Sequence, residues 1–503
     1  MKPVVSVARA PPGGCGLGVD VVDVTATNMV ALIATMSAKV DSRAAGNMTY
    51  FPHAIVGSRG SRSQPFERAQ VRMIGRSGQC KGSWSCVASD ARRTSSATAA
   101  DSIGAAVRIL VHDYAGHPFQ AQLSRELARR GHDVAHSFLA RDRSQRGALE
   151  RRPGDPASLV FMPIRRADGS SRQGVVRRIR HELMYGRGLV RAAAAYGPDV
   201  VISANTPLPA QWQLMTWSHR SSRGFVYWMQ DLISVAVAQK VRRRFGRMGF
   251  PATRFVRWLE RSCLIRADGV VAVTPAFRGV LAQYGVRDEN IAVIPNWAPL
   301  DEIVPVERRN PWAIEHGLAD DLVFMYAGTL GIKHDPTLLI ELAQALPALV
   351  VVVSESGGAD AVKAEAVRRH LDNVRVLPVQ PYQRLSEVLG SADVLVATLD
   401  RQGSAHSVPS KVLSYLCAER PILAIIPREN LAAAVVAESG GGIVVQADDV
   451  SGALAAARWL AENEMQRHEL ARRGRAYAER TFDIRRIGDE FESVLARASA
   501  ARK

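Results

Sequence analysis

The chain has 503 residues, 47% apolar and 22% charged, the balance of a soluble globular protein with length for about three ordinary domains. No apolar run reaches the roughly 18 residues of a membrane span, the N-terminus lacks a signal-peptide pattern, and five cysteines without a Cys-x-x-Cys pair fit a reducing, cytoplasmic compartment with no zinc site. The net charge of +17 is uneven: residues 107–296 hold 30 Lys and Arg against 14 Asp and Glu, residues 297–503 hold 23 against 28, and residues 1–106 hold 12 against 6. A basic middle beside an acidic end points to one part of the chain facing a polyanion, either an anionic membrane surface or a nucleic acid.

Residues 1–106 are dominated by Ser, Gly, Arg, Ala and Thr and read as a disordered leader, or as sequence upstream of a true start at Val107. At Val107–His112 the chain becomes an apolar strand of the kind that opens an α/β domain. A helix over Gln120–Arg130 follows, stopped by Gly131, and then a strand over Asp133–Leu139. A helix ending at Tyr196 leads to strands at Asp199–Ser203 and Gly224–Met229. The helix around Phe255–Ile265 leads to strands at Gly269–Val273 and Ile291–Ile294. Residues 298–321 are polar and read as a linker. A second series runs Leu322–Ala327, Leu349–Val353, Val374–Leu377, Val394–Ala397, Ile422–Ile426 and Ile443–Val445, before a helical tail from Val450 to Ala498. The alternation predicts an α/β protein with two tandem doubly wound, Rossmann-like parallel-sheet domains, 107–297 and 322–503, and an interdomain cleft.

Ligands of such sheets bind beyond the carboxyl ends of the strands. Three loops of the second domain would line the cleft. Gly328, Thr329, Gly331 and Lys333 form a small-residue turn with one cation, followed by Asp335-Pro336 at a helix start, a seat for an anionic phosphate or an ordinary strand-to-helix turn. The loop with Val379 and Pro381 offers backbone groups to a flat base, or is a plain proline turn. Ser410 and Lys411 at a helix start offer a hydroxyl and a second cation to a phosphate, or a cap with an exposed lysine. With no Asp-x-Asp and no His/Cys cluster, a metal-free diphosphate site is the simpler expectation. With no G-x-G-x-x-G after a strand and no G-x-x-x-x-G-K-[ST], a dehydrogenase or P-loop NTPase is poorly supported. In the first domain, Gly116 with His117 and the pair Gln230-Asp231 sit at strand ends, as acceptor contacts or as an idle histidine and a helix cap. The arginine runs at 177–191 and 240–247 are solvated helix faces or a docking surface for anionic lipid.

The ordered set Arg108-Ile-Leu-Val-His-Asp-Tyr114, Trp228-Met-Gln-Asp231, Val293-Ile-Pro-Asn-Trp297, Tyr326-Ala-Gly-Thr-Leu-Gly-Ile-Lys333 and Val408-Pro-Ser-Lys411 with Tyr415–Pro421 resembles the retaining glycosyltransferases of family 4. The likeness is greatest to the colanic-acid and exopolysaccharide branch, and it covers about Val107 to Ala498. It implies the GT-B fold and transfer of a hexosyl group from a nucleotide-diphosphate sugar to a glycolipid or polyprenyl-linked saccharide. It also implies no cofactor and no metal, no nucleic-acid partner, and a place in the cytoplasm or at the inner face of the plasma membrane. The lysine matching Lys333 would bind the donor diphosphate, the 378–381 loop the base, and the N-terminal domain the acceptor. The sequence departs from the family pattern in two ways. An arginine often found after the strand glycine is Thr329, and the paired glutamates that hold the donor fall on His406 and Ser414. A GT-B sugar-nucleotide epimerase and a basic nucleic-acid-binding or scaffold protein are the alternatives.

Overall fold

The computed structural model describes residues 106–140, 149–165, 175–245, 250–331, 336–399 and 410–502. The leader predicted over 1–106 therefore lies, except for its last residue, outside the described residues. Seven strands form the first sheet: β1 (Arg108–Asp113), β2 (Asp133–Ala140), β3 (Leu159–Arg165), β4 (Val200–Ala204), β5 (Gly224–Met229), β6 (Gly269–Ala272) and β7 (Ile291–Val293). They pair in parallel in the order β3-β2-β1-β4-β5-β6-β7. Central strands such as β4 and β5 are buried along their whole length, which is why they read as unbroken apolar runs. β3 was not foreseen. It is an edge strand of mixed burial that tolerates Pro163 because only one side of it is paired.

The second sheet holds β8 (Val323–Ala327), β9 (Leu349–Val353), β10 (Val374–Leu377), β11 (Val394–Thr398), β12 (Ile422–Ile425) and β13 (Gly442–Val445) in the order β10-β9-β8-β11-β12-β13. This sheet too is parallel throughout. In both sheets the strand order reverses beside the first strand, at β1/β4 and at β8/β11, and those reversals open crevices at the carboxyl ends.

The segment expected as a polar linker is packed. Ala298, Ile303, Trp312, Ala313 and Leu318 are buried, and its polar residues hold it in place. The Asn310 side chain accepts from the N–H groups of Trp312 and Ala313, and it donates to Glu387 O at 3.0 Å and to Ser391 Oγ at 2.9 Å. The tail divides in a way the domain limits 322–503 do not anticipate. Helix Val450–Glu462 packs on the second sheet, and Glu464–Thr481 packs on helix Ser410–Cys417. The last helix, Ile484–Ala500, lies on the first sheet, burying Ile487, Phe491, Val494, Leu495 and Ala498. Phe491 sits 4.7 Å from the Trp228 ring. Around this core, Glu492 pairs with Arg130 at 2.5 Å and His132 at 2.8 Å, and Asp268 pairs with Arg502 at 2.8 Å.

Candidate active site

At the β8/β11 reversal, Tyr415 from helix Ser410–Cys417 fixes the end of β8 twice. Its hydroxyl accepts from Ala327 N and donates to Ala327 O, both at 3.0 Å. Gly328 then turns the chain at φ +125°, a conformation that strains any residue with a Cβ. Its N–H donates to Val353 O at 3.0 Å and that of Leu330 to Ser354 Oγ at 3.4 Å. The expectation that this loop offers its backbone N–H groups to a phosphate is thereby narrowed, because two of them are already used. Tyr326 donates to Thr329 O at 2.8 Å, and Thr329 is exposed.

Charge at this point comes from a neighbouring element. Lys411, in the first turn of helix Ser410–Cys417, places Cε 3.8 Å from where a Cβ on Gly328 would stand. Its ammonium lies 3.9 Å from the centroid of the Tyr326 ring and is hydrogen-bonded to the Tyr326 hydroxyl. Burial lowers the Lys411 pKa to about 7. Ser410 is exposed beside it, and Ser414 is half-buried one turn on. Lys333 and His406, and Asp335 with them, lie outside the described residues.

The loop of Val379 and Pro381 follows β10, two strands from β8 and so about 10 Å away across the sheet. Its shape is set by Gln380, which donates to Pro378 O at 2.9 Å and accepts from Trp312 Nε1 at 3.1 Å. Trp312 is fully buried and stacked on His316, with ring centroids 4.2 Å apart.

At the β1/β4 reversal, Gly116 turns at φ +77° and His117 follows, its side chain 35% exposed. His117 Nδ1 lies 3.2 Å from the buried carboxylate of Asp113, and the His117 N–H also donates to that carboxylate. Asn205 Nδ2, at the end of β4, donates to Asp113 Oδ1 at 3.2 Å. Burial alone would raise the Asp113 pKa, but His117, through its charge and hydrogen bonds, holds it below the ordinary value. Behind this cluster, burial lowers His112 and His136 to about 4, so both are neutral imidazoles of the core.

Gln230 and Asp231 take different positions. Gln230 is half-buried and accepts from Asn296 Nδ2 at 2.6 Å, whereas Asp231 is exposed. The N–H groups of Ile233 and Ser234, at the start of the next helix, are taken by Glu260. The structure thus brings together Gly328, Thr329, Ser410, Lys411 and Ser414 at one crevice and Gly116 and His117 at the other. Sequence reasoning gave no site role to Asp113 and Asn205 at the β1/β4 crevice or to Tyr326 and Tyr415 at the β8/β11 crevice. Only Asn205 carried a hint, since asparagine tolerates the left-handed backbone it adopts here, φ +54°.

The family described as Glycosyltransferase Family 4 matches residues 119–302, and that described as Glycosyl transferases group 1 matches residues 309–477. The chain belongs to glycosyltransferase family 4. Among curated relatives of this family 4 member, WcaI of Escherichia coli strain K12, a candidate colanic acid biosynthesis glycosyl transferase, is 24% identical over 253 residues. That match covers 49% of this chain and 60% of WcaI. WbjE of Pseudomonas aeruginosa, a candidate glycosyltransferase, is 24% identical over 195 residues, 38% of this chain and 49% of WbjE. The chain therefore spans about half to three-fifths of the curated relatives it matches. The crystal structure of Anabaena HepE in complex with UDP superposes with a TM-score of 0.56 at 17% identity, covering 77% of this chain and 99% of HepE. The shared fold is GT-B, two Rossmann-like domains with a helical C-terminal segment.

Proposed function

We propose that this family 4 member transfers a hexosyl group from a nucleotide-diphosphate sugar to a glycolipid or polyprenyl-linked saccharide, in the building of an exopolysaccharide or cell-envelope glycan. The observation that carries the reading is Lys411, buried against Tyr326 and aimed over the Gly328 turn at the β8/β11 reversal. A cation fixed there, with Lys333 expected on the neighbouring loop, would stabilise the charge that grows on a departing nucleoside diphosphate without a metal ion. HepE was crystallised with UDP and with UDP-glucose, which supports a sugar nucleotide as donor. The resemblance to the retaining enzymes of the family implies same-face attack assisted by the leaving phosphate. The test is a thermal-shift screen across UDP-, GDP- and dTDP-sugars with EDTA present, followed by an acceptor assay. One nucleotide series should raise the melting temperature by several degrees at a hundredfold excess over Kd. A flat screen would remove the proposal, and epimerised sugar nucleotide formed without acceptor would reassign the enzyme as an isomerase.

The acceptor side of this reading needs a membrane surface, and one helix of the basic first domain fits it. On Phe250–Arg266 the exposed residues Phe250, Arg254, Arg257, Trp258, Arg261 and Ile265 recur at helical spacing and share one face. Phe250 is 67% exposed and Trp258 44%, and the only acid of the helix, Glu260, is buried. Apolar groups interleaved with arginine suit the headgroup layer of an anionic bilayer. The arginines of helix Val175–Tyr196, among them Arg177, Arg180, Arg187 and Arg191, are exposed too. Among the described residues no helix is long and apolar enough to cross a membrane. Replacing Arg254 and Arg261 together by alanine should weaken binding to phosphatidylglycerol vesicles by about 30-fold in co-sedimentation. Equal binding of the unaltered protein to neutral and anionic vesicles would contradict it.

A further inference from the structure

We propose that the groove at the amino ends of β5, β6 and β7 is a binding site for a phosphate mono- or diester, separate from both crevices. It is a cavity of about 770 Å³. It lies at the other end of β5 from Gln230, about 20 Å away. Its charged wall comes from three stretches far apart in the chain. Arg266 ends helix Phe250–Arg266, Arg287 precedes β7, and Arg497 and Arg502 stand in and just after the last helix. Asp268 and Glu289 are the acids of the lining, so four guanidiniums face two carboxylates.

Both acids are already engaged. One oxygen of Asp268 accepts from Arg502 Nε at 2.9 Å and the other from Phe225 N at 2.9 Å. Glu289 meets Arg287 at 2.8 Å, a pair of exposed groups that an entering anion displaces at little cost. Arg266 and Arg497 are held differently. Arg266 lies over the Trp212 ring, 5.2 Å from its centroid, and Arg497 donates to Ser493 Oγ at 2.8 Å. Among the described residues neither meets a carboxylate. Each stands in the last turn of a helix, where a cation commonly answers the helix dipole. Ser493, however, is one turn back, so Arg497 leans away from its own helix end. A guanidinium laid on an indole keeps its N–H groups pointing outward in its own plane, the fork that phosphate oxygens accept.

The lip of the groove is partly apolar. Ile265 lines it and also closes the exposed stripe of helix Phe250–Arg266. Arg261 of that stripe has Nη2 3.5 Å from where a Cβ on Gly285, another lining residue, would stand. The groove is therefore continuous with the face that would dock on an anionic bilayer. A lipid headgroup is one source of the phosphate and a free phosphorylated metabolite is the other. The site stands on its own geometry, and only the lipid source rests on the docking reading.

Calorimetry on the full chain tests this with two probes, glycerol phosphate and dihexanoylphosphatidylglycerol below its micelle concentration. The unaltered protein should bind one equivalent of at least one of them. Replacing Arg266 and Arg497 together by lysine keeps the charge and removes the fork, and should weaken that binding about 10-fold. Replacing both by alanine should weaken it about 30-fold, with the melting temperature within a few degrees of the parent. Tighter binding of the phosphatidylglycerol would support the site with a headgroup as its ligand, and equal or tighter binding of glycerol phosphate would support it with a free metabolite. Heat from neither probe, or parental affinity in either double variant, would overturn the proposal. Equal binding of the unaltered protein to neutral and anionic vesicles would remove the docking reading instead, with glycerol phosphate still deciding the groove.

Discussion

Replacing Lys411 by alanine should lower kcat by a factor on the order of a hundred to a thousand and leave the melting temperature within a few degrees of the parent. The asymmetry follows from where the lysine stands. It stands at the mouth of the crevice, against the Gly328 turn, the Tyr326 ring and the Tyr326 hydroxyl, at the start of its helix rather than between the sheet and its covering helices. The same residue sets a pH signature. In the empty site burial holds its pKa near 7, and a bound diphosphate would raise it by favouring the charged form. Below about pH 7 Lys411 is charged in both states and donor affinity should not vary through it. Above pH 7 the empty enzyme has lost the proton and the complex regains it, so affinity should fall as pH rises from about 7 toward the raised value. Calorimetry at pH 8 in buffers of different ionisation heat should then show uptake of about one proton, and none in Lys411→Met. Wild-type turnover in Lys411→Ala, or donor binding at pH 8 without proton uptake, would remove this lysine from the mechanism.

The second large effect is on the fold. A methyl group at Gly224, the first residue of β5, would stand 2.6 Å from Ala498 O and 2.8 Å from Ala498 C, backbone atoms of the last helix. A backbone carbonyl cannot rotate out of the way as a side chain can, so the helix must lift from the sheet. Lifting it loosens Phe491 from Trp228 and Val494 from Gly269, contacts that exclude water from five buried apolar side chains. Gly224→Ala should therefore cost about 3 kcal/mol and lower the melting temperature by about 10 °C. The control is Gly279→Ala, where nothing lies within 4 Å and the helical position favours alanine. Equal melting of the two variants would show that the helix is only loosely seated.

These two residues also mark how far the sequence could be read. Strands with both faces covered announce themselves as apolar runs, so β1, β8 and β11 were legible, and with them the turns bearing Gly116, His117 and Gly328 and the helix start bearing Lys411. The edge strand β3 was not legible, since one unpaired side lets polar residues and a proline interrupt the run. Tyr326 and Tyr415 sit inside apolar patterns that mark them as core, and periodicity does not show that each hydroxyl reaches the backbone of the Gly328 turn. The amphipathic stripe of Ile484–Ala500 shows that the helix is buried on one side but not which sheet it covers. That choice rests on partners such as Arg130, 362 positions from Glu492.

A sheet completed from so far along the chain has a consequence for its birth on the ribosome. β5 and β6 emerge early, yet the surface of Trp228 stays uncovered until Ile484–Ala500 follows, tens of seconds later at ordinary elongation rates. The second sheet, with its own helices, draws on a nearly contiguous stretch and can close sooner. The half synthesised first is thus the half finished last, and in the interval its bare aromatic face is the part of the nascent protein most in need of a chaperone.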